Sequence, residues 1–161
     1  MSRLGWTLPA LAAVALLGGS GVAAQMDEER AVIAAAQAMF DAMEALDPEA
    51  FRKSMVPDGF LLSVGPENTR WTTREQFAAN IARQTRPMIE RMWDPEVRID
   101  GSVATLWTAY DFYTALEFSH CGTDAFQLAK TAEGWKVVMI SYTSQMPPTC
   151  STHPEGPPAN R

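Results

Sequence analysis

The first part of the chain places apolar residues at the spacing of helices. Between residues 26 and 46 they recur every three or four positions and predict one amphipathic helix, at Val32, Ala36, Met39, Met43 and Leu46. Asp47 is a good N-cap for a second, short helix beginning at Pro48, since proline suits the first helical position. The run of turn residues at 57–59 ends that helix.

One strand and a third helix are expected before the pattern changes. The compact apolar run 60–64 predicts a strand, and turn residues follow it at 65–68. Thr72 and Glu75 have the spacing of a capping box, which predicts the start of the third helix. Arg86-Pro87 ends this helix, because the residue before a proline disfavours helical backbone.

From Met88 onward the period changes to two, which is typical of strands. We predict strands at 88–93, 96–99, 103–113, 117–130 and 135–144. Asp100-Gly101 is a strong hairpin signal, and Glu133-Gly134 marks a second turn. This order predicts an α+β fold. Because long strands twist and coil, we expect a cone-shaped curved antiparallel sheet with about three helices across its concave side, enclosing a cavity.

The two ends of the chain differ from this domain. Residues 1–24 combine one basic residue, Arg3, with an apolar run and small residues, which is the layout of a secretory signal peptide. The apolar run is too short to span a membrane because proline and glycine interrupt it. We therefore expect a secreted or periplasmic protein with one domain over 25–146 and a Pro-rich flexible tail over 147–161.

Charge and composition narrow the expected partners. With 13 basic and 19 acidic residues the chain has a net charge of −6, whereas nucleic acid and anionic membranes attract basic patches. Neither is therefore expected as a partner once the leader is removed. With two histidines and no clustered ligand spacing we expect no metal site. No phosphate loop or nucleophile elbow occurs in the sequence, and we expect no cofactor.

The only two cysteines, Cys121 and Cys150, both follow the leader. An even number of cysteines in an oxidising compartment predicts a disulfide, which would tie the tail to the sheet. The alternative is two free thiols, one of them buried.

The chain resembles the nuclear transport factor 2-like superfamily, in particular its exported SnoaL-like members, over nearly all of residues 26–146. The resemblance rests on the following runs: VATLW (103–107), YDFY (110–113), SHCGTDAFQL (119–128), EGWKV (133–137) and YT (142–143). It implies a cone-shaped α+β fold with an internal pocket. It does not imply one activity, since members include isomerases, dehydratases, polyketide cyclases and transport adaptors.

Counting residues across the predicted hairpins suggests a candidate site. If Ala115-Leu116 is a two-residue turn, Asp111 pairs with His120 and Trp107 pairs with Asp124. A carboxylate beside an imidazole holds its tautomer and raises its pKa, as an acid–base pair requires. The candidate catalytic residues are therefore His120, Asp111 and Asp124.

Each candidate site residue also suits a purely structural role. A slip of one residue, or a bulge at Gly122, would exchange the two faces of the sheet, both of which are apolar. His120 and Asp124 also suit a buried hydrogen-bonded pair, and Asp111 a solvated strand position. Trp71, Trp93 and Trp107 suit either the core or stacking on a flat ligand. Tyr110 and Tyr142 suit hydrogen-bond donation either to a ligand oxygen or, as core residues, to the backbone. Charges typical of a solvated surface are given no functional role: Arg70, Arg74, Glu90 and Arg91.

Three functions remain open. The preferred one is an exported single-domain pocket protein that binds a small apolar or aromatic molecule without a cofactor. The second is a cofactor-free lyase, isomerase or cyclase that uses His120 with Asp111 or Asp124 as acid and base. The third is a dimeric structural or partner-binding module, because an exposed apolar sheet face favours a homodimer.

Overall fold

The computed structural model describes residues 19–159, so most of the predicted leader lies outside the described residues. The helices are α1 (Gly19–Glu44), α2 (Pro48–Ser54) and α3 (Arg74–Ile81). Helix α1 is longer than predicted at its start and shorter at its end. Among the described residues, no helix is both long enough and apolar enough to cross a bilayer.

The helix starts follow local capping chemistry. Asp47 caps α2 as predicted, because its carboxylate accepts hydrogen bonds from the backbone N–H groups of Glu49 and Ala50 at 3.0 and 2.9 Å. The capping box of α3 lies one residue later than predicted. Its members are Thr73 and Gln76, whose side chains and backbone N–H groups bond reciprocally at 3.2 and 3.0 Å.

Six strands form one mixed sheet, in the spatial order β2-β1-β6-β5-β4-β3. Their bounds are β1 (Met55–Val64), β2 (Thr69–Thr73), β3 (Met88–Asp100), β4 (Val103–Thr114), β5 (Glu117–Thr131) and β6 (Gly134–Thr143). The α+β class and the curved sheet are confirmed, but β1 and β6 are parallel, so the sheet is not wholly antiparallel. Strand β2 was not predicted, and the two expected strands at 88–93 and 96–99 form the single strand β3.

The helices cover one face of the sheet, which we call the inner face. The ring of Phe40 on α1 packs edge-on against Phe126 on β5, with centroids 5.8 Å apart. Both belong to one buried apolar cluster that also holds Leu106 of β4 and Ile140 of β6. The opposite side of the sheet, the outer face, leaves Trp107 and Val103 exposed.

The register of the β4–β5 hairpin differs from the predicted one by a single residue. The turn pairs Thr114 with Glu117 as expected, but Ser119 is an extra residue, so Phe112 pairs with His120. Consequently Asp111 pairs with Cys121 instead of His120. In the same way, Trp107 pairs with Ala125, and Asp124 pairs with Thr108. The predicted pairings were wrong because a bulge precedes the position that the sequence suggested, Gly122.

The chain after β6 returns to the sheet. The backbone of Gln145 pairs with that of Cys121, and Cys121 forms the predicted disulfide with Cys150, with Cα atoms 5.7 Å apart. Residues 147–159 contain no helix or strand. They nevertheless contact the sheet through His153 and Gly156. The flexibility of the tail stays a prediction.

Candidate functional site

A cavity of about 260 Å³ lies between α1, α3 and the inner face of the sheet. Much of its wall is apolar, formed by Met39, Met43, Phe77, Met88, Phe112 and Ile140. The polar side chains that line it are Ser63, Arg70, Asn80, Glu90, Tyr110, His120, Tyr142 and Ser144. A hollow that combines apolar wall with converging polar groups is typical of ligand sites.

One row of paired residues crosses three strands at the cavity. Glu90 of β3 pairs with Phe112 of β4, which pairs with His120 of β5. The imidazole of His120 stacks on the ring of Phe112, with centroids 5.0 Å apart, and its Nδ1 lies 2.9 Å from the hydroxyl of Ser119. Burial lowers the pKa of His120, which favours the uncharged imidazole at neutral pH.

Tyr110 is buried at the next inward position of β4. Its hydroxyl donates to the backbone carbonyl of Thr143 at 2.6 Å. Burial, together with the nearby carboxyls of Glu90 and Asp124, raises the pKa of Tyr110, so the phenol stays protonated. Gly122 lies opposite Tyr110, and a Cβ atom there would come within 2.2 Å of the Thr143 carbonyl oxygen. Because Gly122 has no side chain, the Thr143 carbonyl can lie where the hydroxyl of Tyr110 reaches it.

Two carboxyl groups meet beside the cavity. Asp124 is fully buried, and neither of its oxygens receives a hydrogen bond from an N–H or hydroxyl group of the described residues. Its partner is the carboxyl of Glu90. A hydrogen bond between two carboxyl groups requires a proton on one of them. The contact is therefore stable only when the pair holds at least one proton.

The environment keeps this proton in place. Burial raises the pKa of Glu90 to about 8, although its hydrogen bond with Asp124 acts in the opposite direction. Burial also raises the pKa of Asp124 well above its ordinary value, and the charge of Glu90 and their hydrogen bond add to this effect. Both pKa values are thus raised, so the pair retains protons at neutral pH, and Glu90 is the member that lines the cavity.

The structure brings some of the predicted site residues to the cavity. His120, Tyr110 and Tyr142 line it, and Asp124 lies next to it through its contact with Glu90. Asp111 does not reach it. On the outer face its oxygens bind the guanidinium of Arg91 at 3.0 and 2.6 Å and accept the backbone N–H of His153 at 2.8 Å.

The three candidate tryptophans lie away from the cavity wall. Trp71 is exposed and packs against the ring of Phe60, with centroids 4.6 Å apart. Trp93 contacts the ring of His153 in the tail. Trp107 lines a shallow depression on the outer face.

Sequence reasoning missed Glu90, which it assigned to a solvated surface. One local signal existed: Glu90 lies two residues from both Met88 and Met92, so the period of a strand places it on their apolar face. Its partner Asp124 is remote in sequence and two strands away, so no local pattern identifies the pair.

The comparisons with known proteins agree with this architecture. The sequence profile of a family described as "putative lumazine-binding" matches residues 27–143. No curated protein matches the chain.

Solved structures show the same fold. A nuclear transport factor 2-like protein with a cystatin-like fold from Novosphingobium aromaticivorans is 17% identical, with a TM-score of 0.67 over 83% of this chain and 92% of that chain. A protein of unknown function from Mycobacterium tuberculosis is 19% identical, with a TM-score of 0.67 over 81% and 78%. A "putative scytalone dehydratase" from Novosphingobium aromaticivorans is 14% identical, with a TM-score of 0.62 over 78% and 89%.

At these identities the solved structures establish the fold and leave the activity open. They confirm the resemblance to the nuclear transport factor 2-like superfamily. The profile match covers most of the chain, including all three helices in whole or part and all six strands. The chain therefore belongs to the family described as putative lumazine-binding and has the nuclear transport factor 2-like fold.

Proposed function

We propose that the protein binds a small, flat, largely apolar molecule in the inner cavity, without a cofactor. The observation that carries this proposal is the lining, in which rings and thioethers lie beside converging polar groups. Ligand pockets usually measure about 300–1,000 Å³. The volume of about 260 Å³ therefore suits a ligand of one or two rings.

The cavity wall offers surfaces that suit an aromatic ligand. Phe112, Tyr110 and Tyr142 provide ring faces or edges, which favour stacked or edge-on contacts with another ring. Met39 and Met88 add flexible, polarisable thioethers, which adapt to irregular ligand shapes.

The names of the family and of one relative guide the choice of compounds. The family is described by lumazine binding, and the relative is named for the dehydration of scytalone. Both named compounds are flat, fused-ring molecules that carry carbonyl groups. Lumazine is therefore the first compound to test.

Cofactor-free acid–base catalysis is a second candidate, and the position of Glu90 favours it. Its carboxyl lines the cavity, and its pKa of about 8 is close to neutral pH. Proton transfer is most efficient when the pKa of the group is near the working pH. Glu90 is then the acid–base carboxyl group, the role that the sequence suggested for Asp111.

We further propose that the protein is secreted or periplasmic. The leader-like sequence and the disulfide between Cys121 and Cys150 support this location, because disulfides persist in oxidising compartments. A homodimer through the outer face stays a prediction, and detection of the mature N-terminus outside the cytoplasm would test export.

A thermal-shift screen with lumazine and other flat compounds tests binding. Ser63 lines the cavity on β1, and Ser141 lies on the outer face of β6, so Ser63→Trp and Ser141→Trp are matched variants. We expect the screen to find a compound that stabilises the wild type by about 2.7 kcal/mol at a hundredfold excess over Kd. The shift should disappear in Ser63→Trp and persist in Ser141→Trp. If no flat compound shifts the wild type, or if Ser63→Trp responds like the wild type, the proposal is wrong.

A further inference from the structure

We propose that Glu90, held by Asp124, is a hydrogen-bond donor that recognises an uncharged carbonyl oxygen on the bound molecule. The inference rests on the proposed function, since it names the chemistry of the ligand in the same cavity. It assigns this recognition to a pair of carboxyl groups from two strands, β3 and β5, that lie on either side of β4.

No cation of residues 19–159 forms an ion pair with Glu90 or Asp124. Arg91 follows Glu90 in sequence, but its guanidinium binds Asp111 on the outer face through two hydrogen bonds. Arg70 lines the same cavity and forms no ion pair with Glu90 or Asp124 in the described part of the chain. Asp124 is fully buried and Glu90 is half-buried. Two such carboxylates without a cation repel each other, so the pair keeps a proton.

The surroundings of Glu90 are more acidic than basic. Titratable groups that line the same cavities or act on its carboxyl come from five other parts of the fold: Asp41 and Glu44 on α1, Arg70 on β2, Tyr110 and Asp111 on β4, His120 and Asp124 on β5, and His153 and Glu155 in the tail. Carboxyl groups outnumber guanidinium groups in this set. The balance favours an uncharged Glu90 near neutral pH.

Two polar residues that line the cavity with Glu90, Tyr110 and His120, already have hydrogen-bond partners. The hydroxyl of Tyr110 is bound to the carbonyl of Thr143, and Nδ1 of His120 lies within hydrogen-bonding distance of Ser119. Glu90 lines the same cavity, so its acid O–H is available to a bound molecule. A ligand that supplies an acceptor oxygen satisfies this donor, whereas a ligand without one leaves it unpaired.

The charge of the pair favours a neutral acceptor over an organic cation. Below about pH 8 Glu90 holds its proton, and the pKa of Asp124 is also raised well above its ordinary value. The pair then carries no net charge that would attract an amine. A carbonyl oxygen gains a hydrogen bond from the acid without any change in its charge.

The test compares three ligands of one shape: α-tetralone, the parent hydrocarbon tetralin and the corresponding primary amine. We expect calorimetry at about pH 6.5 to show at least about tenfold tighter binding of the ketone than of the hydrocarbon, a difference of about 1.4 kcal/mol. The preference should fall as the pH rises through about 8, where Glu90 loses its proton. Tighter binding of the amine than of the ketone would show an organic-cation site and overturn the inference.

Variants connect the preference to the residue. Glu90→Gln keeps an N–H donor and should keep part of the ketone preference, with its pH dependence lost. Glu90→Leu should remove the preference while tetralin still binds. Glu96→Leu is the control on the same strand, since Glu96 is exposed, and it should behave like the wild type. A ketone preference that survives in Glu90→Leu would contradict the assignment.

A measurement without ligand keeps the inference separate from the proposed function. Infrared difference spectra between wild type and Glu90→Gln should show a protonated-carboxyl band at neutral pH that disappears near pH 8. Absence of this band overturns the inference even if flat compounds bind. Equal binding of ketone and hydrocarbon also overturns it and leaves the proposed function intact, whereas failure of every flat compound overturns the proposed function and this inference with it.

Discussion

Asp111 and Asp124 are both fully buried in the same sheet, yet their surroundings are opposite. Asp111 on the outer face has an ion pair with Arg91 and a backbone N–H from His153. Asp124 on the inner face has no such donor and contacts another carboxyl group. One carboxyl group thus has a cation and a backbone donor as partners, and the other is stable only as part of a proton-holding pair.

The different surroundings of Asp111 and Asp124 indicate different roles for the two residues. The contacts of Asp111 join β3, β4 and the chain after the disulfide, so they hold parts of the fold together. The pair of Asp124 and Glu90 joins β3 to β5 at the cavity and leaves an acid facing it. A buried carboxyl group without a cation or a hydrogen-bond donor as partner is more typical of a functional site than of a structural one.

The largest effect is expected from Asp111→Asn. The substitution leaves the guanidinium of Arg91, which is only 20% exposed, without its counter-charge. Breaking a buried pair in this way typically costs about 3–5 kcal/mol of unfolding free energy. Urea unfolding at neutral pH measures the loss, with the exposed Asp58→Asn as a control expected within about 0.5 kcal/mol of the wild type. A loss as small as that of the control would show that the outer-face pair is not structural.

An intermediate effect is expected from pH. Since the pKa of Glu90 is raised in the folded protein to about 8, the unfolded chain releases this proton at lower pH than the folded chain does. Stability is therefore greatest below the unfolded pKa and falls as the pH rises toward 8. Relative to Glu90→Gln, the wild type should lose roughly 2–3 kcal/mol between about pH 5.5 and about pH 9. Parallel stability profiles of the two proteins would refute the raised pKa.

The smallest effect is expected from Asp124→Asn at about pH 5.5. An amide N–H donates to Glu90 much as the acid O–H does, so the unfolding free energy should change by less than about 1 kcal/mol. The measurement uses the same urea titration as for Asp111→Asn. Equal losses in the two asparagine variants would remove the distinction between the two aspartates.

The sequence predicted the fold well where one signal dominated. The long strands of the meander follow from a hydrophobic period of two. The turn at Asp100-Gly101 follows from the glycine, which adopts a positive φ. Strand β2 was missed because its five residues are mostly exposed and show no apolar face. The strand break expected near residue 94 is only an irregularity in β3, where Asp94 adopts a positive φ of 51°.

The site was less predictable because it depends on register. One extra residue, Ser119, reverses the faces of β4 relative to β5, so Asp111 and His120 separate while Asp124 joins Glu90. The charge of Glu90 looked like an ordinary surface charge, since only the folded sheet brings a second carboxyl to it. His120, Tyr110 and Tyr142 were predicted as candidates because their residue types suit either face, and all three line the cavity.

The parallel pairing of β1 with β6 has a consequence for how the chain folds. Phe60 pairs with Met139, so the strand that joins β1 and β2 to the rest of the sheet is the last one to be synthesised. Until it emerges, β1 and β5 both present unpaired edges, which invite association with other chains. Completion of the sheet thus awaits a contact of long sequence separation, which slows folding.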